Sequence, residues 1–221
     1  MSESIFTAVD RYINNLFVPA DASLASTMET AKKEGIPPIS ISSGQGKLLY
    51  LLAKMSKPTT ILEIGTLAGF STIWFARSLP ENGKVVTLEL DPHHAAVAQK
   101  NLEGAGVAHK TEIRVGNALQ TMDNMISGKK EKFDLIFIDA DKPPYAEYFL
   151  KALELSHSGT VIIADNVVRE GKILDENTSD EDIAGIRRFN AALADSDKVE
   201  ATILQTVGEK VHDGIAIAIV K

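Results

Sequence analysis

A doubly wound α/β domain built on a mostly parallel sheet is the fold this sequence predicts, and three observations carry the prediction. From residue 59 onward, short apolar stretches alternate with segments of helical periodicity. Those stretches are apolar at nearly every position, which marks parallel strands covered on both faces. The last two follow one another across a polar segment without an intervening helix, so they pair as a hairpin and turn the final strand antiparallel.

Each element follows in turn. Ile5, Val9, Tyr12, Ile13 and Leu16 recur at helical spacing, and Leu48, Leu49, Leu51, Leu52 and Met55 give a second helix with a broader apolar face. The stretch GIPPISISSGQG (35–46) reads as a connection between them, and no shift in composition makes it a domain boundary. Strands are expected at 59–64, 84–89, 111–115, 134–139 and 160–165, with helices at 70–79, 92–104 and 145–155 between them. VEATILQ (199–205) and GIAIAIV (214–220) supply the hairpin, which completes a seven-stranded sheet in a single domain spanning 1–221.

Composition narrows the chemistry. At 44% hydrophobic and 24% charged residues the chain has the balance of an ordinary globular protein. It contains no cysteine, which excludes disulfides, thiolate catalysis and thiolate zinc sites together. A net charge of -7 without a basic stripe argues against a nucleic-acid partner, and the cluster Lys129, Lys130 and Lys132 reads as a solvated loop. Apolar runs such as 161–164 and 215–220 are strand-sized, far short of the roughly 20 residues a bilayer helix needs. No membrane association is expected, and because the first sixteen residues lack the pattern of a secretory signal, the expected location is cytoplasmic. The five histidines show no metal-binding spacing.

The stretch ILEIGTLAGFST (61–72) is a strand, a tight turn and a helix start, the place where an open α/β sheet binds its ligand. It lacks the third glycine of a dinucleotide turn, and Glu63 would repel a pyrophosphate while suiting a cationic ligand. Downstream, Glu89 stands where an acidic residue holds both hydroxyls of an adenosine ribose. S-adenosylmethionine, with a ribose, a sulfonium and an ammonium but no phosphate, meets these demands. The plainer reading is that Gly65 and Gly69 only permit a turn; the correctly spaced Glu89 favours the nucleoside. SSGQGKLL (42–49) has neither the glycine spacing nor the hydroxyl residue of a phosphate loop.

Two other strands end in oxygen donors, one at Asp139 and one at Asp165 with Asn166. If the strands are neighbours, these groups converge into a hard-oxygen set that suits Mg²⁺ or Mn²⁺, with Ca²⁺ a third candidate. Each residue taken singly has a simpler role, Asp139 as a helix cap and Asp165–Asn166 as a turn. Lys142, three residues beyond Asp139, is the candidate general base for a hydroxyl made acidic by a cation.

LEIGTLAGFST, FIDADK followed after two intervening residues by Tyr145, and ADN (164–166) resemble the cation-dependent O-methyltransferases of the caffeoyl-CoA and catechol type, in a small fungal- or bacterial-like form. The likeness runs from about residue 35 to the end. It implies a Rossmann-like class I methyltransferase fold, a homodimer, and N-terminal helices within 1–58 that cover the donor and acceptor site. It further implies a cation held by Asp139, Asp165 and Asn166, with Lys142 as base and Asp139 touching both metal and donor. Glu63, Gly65, Thr66 and Ser71 would surround the methionine part of S-adenosylmethionine, Glu89 its ribose and Ala118 its adenine. Ile41 would line the pocket from the N-terminal side, and Asp141 would orient the site. VVREGKI (167–173) lacks the tryptophan that plant members tend to carry, so the expected acceptor is a small vicinal diol such as a catechol, flavonoid or phenylpropanoid. The alternatives are methylation of a wobble-uridine hydroxyl in tRNA and a non-catalytic nucleoside-binding role. The acidic balance opposes the first, and the intact Asp139, Lys142, Asp165 and Asn166 oppose the second.

Overall fold

The computed structural model describes residues 4–128 and 131–221, so Lys129 and Lys130 lie outside the described residues. Three helices open the chain: α1 (Ile5–Phe17), α2 (Ala22–Lys33) and α3 (Ser43–Ser56). Side chains start each of them. Ser4 accepts from Thr7 N, and Asp21 accepts from Leu24 N. Ser42 and Gln45 form a reciprocal capping box, which satisfies amides that the first helical turn leaves unpaired. SSGQGKLL is therefore a helix start, and α3 begins within the stretch expected to be a connection. The helix α2 has no sequence expectation behind it, because only Leu24, Thr27 and Ala31 are buried on an otherwise polar segment.

The remaining elements are β1 (Thr60–Ile64), α4 (Phe70–Ser78), β2 (Lys84–Glu89), α5 (Pro92–Gly104), β3 (Thr111–Val115), α6 (Ala118–Gly128), β4 (Phe133–Ile138), α7 (Tyr145–Glu154), β5 (Ser156–Asp165), α8 (Glu181–Asp195), β6 (Val199–Thr206) and β7 (Asp213–Val220). All seven strands join one sheet in the order β3-β2-β1-β4-β5-β7-β6. The first five run parallel and β7 pairs antiparallel with both β5 and β6. The expected Rossmann-like sheet with a reversed last strand is what the chain forms. β5 starts earlier than expected because Ser156 pairs with Phe133 across a register irregularity.

Strand alternation divides the core. Leu62, Ile64, Ile136 and Ile138 pack on one face with Met122, Phe149 and Phe189 from α6, α7 and α8. Ile61, Leu135 and Phe137 pack on the other with Leu49, Ile73 and Phe75 from α3 and α4. Both faces are covered, so the strands can be apolar throughout. Among the described residues, no helix is long and apolar enough to cross a membrane.

A polar clamp closes the end of the sheet opposite the carboxyl ends of the parallel strands. Asp134 Oδ2 accepts from the amides of Thr59 and Thr60 at 2.7 and 2.9 Å and from both their hydroxyls. Its Oδ1 faces His157 Nε2 at 2.8 Å, while His157 Nδ1 faces the Ser158 carbonyl at 2.8 Å. Two acceptors on one imidazole favour the doubly protonated ring. Burial works against the Asp134 carboxylate, but the Thr59, His157 and Thr60 bonds prevail and hold its pKa well below the usual range. The Ser158 carbonyl and then Asp134 raise that of His157. The His157 contribution is therefore complete below about pH 6.5 and fades as the pH rises through its elevated folded value; the Asp134 contribution is complete above about pH 4 and fades on acidification. Denaturant unfolding as a function of pH should show the clamp strongest between those limits. His157→Ala should cost less than about 1 kcal/mol there, because the pair is partly solvated.

Candidate active site

The chain direction across the sheet reverses between β1 and β4, and the carboxyl ends of these strands meet at the site. Asp139 N donates to the Ile64 carbonyl at 2.9 Å. Gly65 follows with φ of +98°, and a Cβ there would lie 2.1 Å from the Asp139 carbonyl oxygen. Only glycine allows both the backbone angle and the approach. Crevices at such a reversal are where open α/β sheets bind ligands. Here the crevice is a cavity of about 610 Å³.

Of the residues singled out in the sequence, Ile41, Gly65, Thr66, Ser71, Glu89 and Ala118 line this cavity, as do Asp139, Asp141, Lys142 and Asn166. Glu63 and Asp165 lie behind the wall. Glu63 shares strand parity with Ile61, so its side chain enters the layer beneath α4 and is fully buried. There it accepts from Ser71 Oγ at 2.6 Å, Thr87 Oγ1 at 2.7 Å and Thr72 Oγ1. Burial raises its pKa to about 7 against the pull of those three hydroxyls, with the charge of Asp139 adding to the rise. Glu63 thus meets the cavity wall through Ser71, which lines it.

Glu89 at the end of β2 braces the glycine turn. Its Oε2 accepts from Leu67 N at 2.8 Å and Thr66 N at 3.2 Å, and its Oε1 accepts from Asp91 N at 2.9 Å. The turn needs this support because Leu67 is held at φ +51°, a conformation unfavourable for a branched side chain. At the other end of the cavity, Ile138 pairs in register with Ala164, which sets Asp139 and Asp165 side by side at the ends of β4 and β5. Asp165 is 3% exposed. Burial and then the charge of Asp139 push its carboxyl up to about 7.

Lys142 is buried as well. Its Nζ donates to Asp139 Oδ1 at 3.2 Å and to Tyr145 Oη at 2.6 Å. The Tyr145 hydroxyl lies 3.0 Å from the Asp165 carbonyl and 3.2 Å from that of Ile138, so it donates back to the same two strand ends. Burial, followed by the charges of Asp139 and Asp165, raises the Tyr145 pKa well above the ordinary phenol value and keeps the hydroxyl a donor. α8 presses on this loop from outside: a Cβ on Gly185 would lie 2.2 Å from the Lys142 carbonyl. Asp141 accepts from Tyr148 Oη at 2.6 Å.

Several of these parts have no individual sequence expectation behind them. Tyr145 appears there only as the last position of a motif, and its spacing from Lys142, one helical turn, is the available signal. Asp213, whose Oδ1 accepts from Val168 N and Arg169 N, has no local signal for that role, since those partners are distant in sequence. Among the described residues no group of three or more His, Asp or Glu side chains converges as a metal site; Asp139 and Asp165 reach three donors only with the carboxamide of Asn166.

A cavity at the reversal of an open sheet whose last strand runs backwards is the arrangement of class I methyltransferases. Residues 20–220 match the model of the O-methyltransferase family. The catechol O-methyltransferase of Niastella koreensis is 52% identical over 221 residues, covering 100% of both chains. That of Mycobacterium tuberculosis is 44% identical over 213 residues, 96% of this chain and 95% of the other. An O-methyltransferase from Bacillus cereus, solved in complex with SAH, superposes with a TM-score of 0.96 at 46% identity, with 98% of each chain covered. The chain belongs to the O-methyltransferase family.

Tyr145→Phe removes the hydroxyl that ties Lys142 to both strand ends. It should cost about 1–2 kcal/mol in denaturant unfolding, and lower kcat for methyl transfer more than it raises KM for the acceptor.

Proposed function

We propose that the protein transfers the methyl group of S-adenosylmethionine to one hydroxyl of a vicinal dihydroxy aromatic, such as a catechol, flavonoid or phenylpropanoid, in a reaction that depends on a divalent cation. The observation that carries this reading is a single cavity with two chemically distinct ends. One end holds the glycine turn and Glu89; the other holds Asp139, Lys142 and Asn166. A relative bound to SAH, the donor less its methyl group, and relatives named for catechol support it.

At the donor end, Gly65, Thr66 and Ser71 bound the methionine part, with Glu63 acting from beneath through the Ser71 hydroxyl. Glu89 takes the ribose hydroxyls with the lone pairs its three backbone bonds leave free. Ala118 packs beside adenine, Ile41 closes the pocket by packing, and Asp141, held by Tyr148, orients the donor side of Asp139.

Asp139, Asp165 and Asn166 are the residues that would hold the cation. Their oxygens are hard donors of the kind Mg²⁺, Mn²⁺ or Ca²⁺ takes, and the raised Asp165 carboxyl fits a pair of acids short of positive charge. A cation bound there supplies Lewis acidity that eases ionisation of a phenol. With a cation taking over the charge balance at Asp139, an uncharged Lys142 would receive the hydroxyl proton at Nζ, whose position Tyr145 and Asp139 fix. The acceptor oxygen then attacks the methyl carbon opposite sulfur; the C–O bond forms as the C–S bond breaks, and the neutral thioether leaves. Alignment of the two reactants accounts for much of the rate.

With labelled S-adenosylmethionine and a panel of catechols, chelation should abolish transfer and added Mg²⁺ or Mn²⁺ restore it, while Lys142→Ala should lower kcat by about 10²- to 10⁴-fold. Transfer indifferent to chelation and to Asp165→Ala would remove the cation from the reading.

We also infer that the whole chain works as one catalytic unit within a homodimer. No residue of α1 is buried, and Ile5, Phe6, Val9, Tyr12, Leu16 and Phe17 stand exposed on it, a run of large apolar side chains of the kind that marks an interface. Sedimentation should give a dimer at micromolar concentration and a monomer for Phe6→Asp combined with Tyr12→Asp.

A further inference from the structure

Beyond Asn166 the backbone does something costly. Asn166, Arg169 and Glu170 adopt φ of +59°, +52° and +59°, and Gly171 follows at +79°. Non-glycine residues seldom take this region, and successive ones do so only where surrounding structure imposes it. The imposing group is Asp213, buried at the start of β7. Its Oδ1 accepts from Val168 N at 3.0 Å, Arg169 N at 2.8 Å and Gly214 N at 2.8 Å, while Glu170 N donates to the His212 carbonyl at 2.9 Å. A carboxylate from a distant strand thus holds two ordinary residues in a strained turn.

The turn places Arg169 in the cavity wall together with Asn166, three residues earlier. Among the described residues the carboxylate nearest its guanidinium by ion pairing is Asp182, with Oδ2 at 3.8 Å, outside hydrogen-bond reach, while Glu170 lies within electrostatic range but is bonded to Lys172. The other cationic side chain of this end, Lys142, is already engaged by Asp139 and Tyr145. The arginine therefore brings a planar set of donors to the acceptor end without a close partner. A guanidinium in this position matches a carboxylate through paired, charge-assisted hydrogen bonds.

We propose that Arg169 is a specificity-determining residue that binds a carboxylate carried by the aromatic acceptor, so that the preferred substrate is a dihydroxy aromatic acid and not a neutral or cationic catechol. The inference rests on the vicinal-diol reading above and adds the charge of the rest of the molecule. Asp182, which lines the same cavity, restrains the arginine when no acid is bound and penalises an acceptor bearing a second negative group. A bulky polyanionic thioester is thereby disfavoured against a compact monocarboxylate.

The test compares 3,4-dihydroxybenzoate, a neutral methyl-substituted catechol, a dihydroxyphenyl-ethylamine and a coenzyme-A ester of caffeate, in wild type and in Arg169→Asn. Asparagine tolerates the left-handed backbone, so this variant removes the charge without adding strain. Arg169→Lys, which keeps the charge but not the fork, is the companion. Wild type should show the lowest KM for the benzoate. Arg169→Asn should raise that KM by about tenfold or more, the loss expected for a charge-assisted bond. Its kcat should stay nearly unchanged, and its KM for the neutral methylcatechol should change less than about twofold. Arg169→Lys should recover part of the loss. Equal effects on the acid and the neutral diol, or none on either, would overturn the proposal, as would a wild-type preference for the amine. A lower KM for the coenzyme-A ester, lost in Arg169→Asn, would assign the arginine to phosphate and overturn the carboxylate. If no diol of any charge is methylated, it is the underlying reading that fails, and the two failures are told apart by turnover of the neutral methylcatechol.

Discussion

Two acids at neighbouring strand ends, repelling each other in a place with little water, are the constraint around which this molecule is organised. Register puts the half-buried Asp139 beside the buried Asp165, and like charges so placed, one of them away from water, do not both ionise without compensation. Every nearby device serves to hold that pair in place. Tyr145 bonds both strand ends through one hydroxyl, Lys142 supplies one positive charge, and Gly65 lets β1 come close enough for its last carbonyl to grip Asp139. The hydrophobic layers on both faces of the sheet keep these ends from separating. The fold's contribution is thus to keep an unfavourable electrostatic arrangement rigid at the edge of the cavity.

The donor end works differently. Glu89 is satisfied by backbone amides, and Glu63 by hydroxyls, before any ligand arrives. These acids shape the pocket first and present charge to it second. A carboxylate already oriented by its own protein loses little freedom when a ligand binds, which is the physical meaning of a preformed site.

Much of this was legible in the residues. Apolar strands that alternate with helices specify a two-sided parallel sheet because no other arrangement buries both faces, and the hairpin at the end follows from the missing crossover helix. The strand-end acids were legible for the same reason: an acid closing an apolar strand must emerge at the sheet's carboxyl edge. What could not be read depends on partners far apart along the chain. Strand parity, known only once the sheet faces are assigned, decided that Glu63 points beneath α4. The weakly amphipathic α2 is held by three small contacts that leave little periodicity. The left-handed run at Arg169 and Glu170 has no local cause, since neither residue prefers it; its cause is Asp213, over forty positions later.

That carboxylate on β7 also separates two kinds of change. The acids, the lysine and the tyrosine belong to the ends of β4 and β5, the loop after β4 and the start of α7, whereas the segment from Val167 to Ile173 is anchored from elsewhere, by the Asp213 carboxylate and the His212 carbonyl at the reversed strand and by Asn190 and Arg187 of α8. Residues of that segment can be exchanged while these anchors hold. The protein can drift toward new partners in solution without disturbing the machinery that transfers the methyl group.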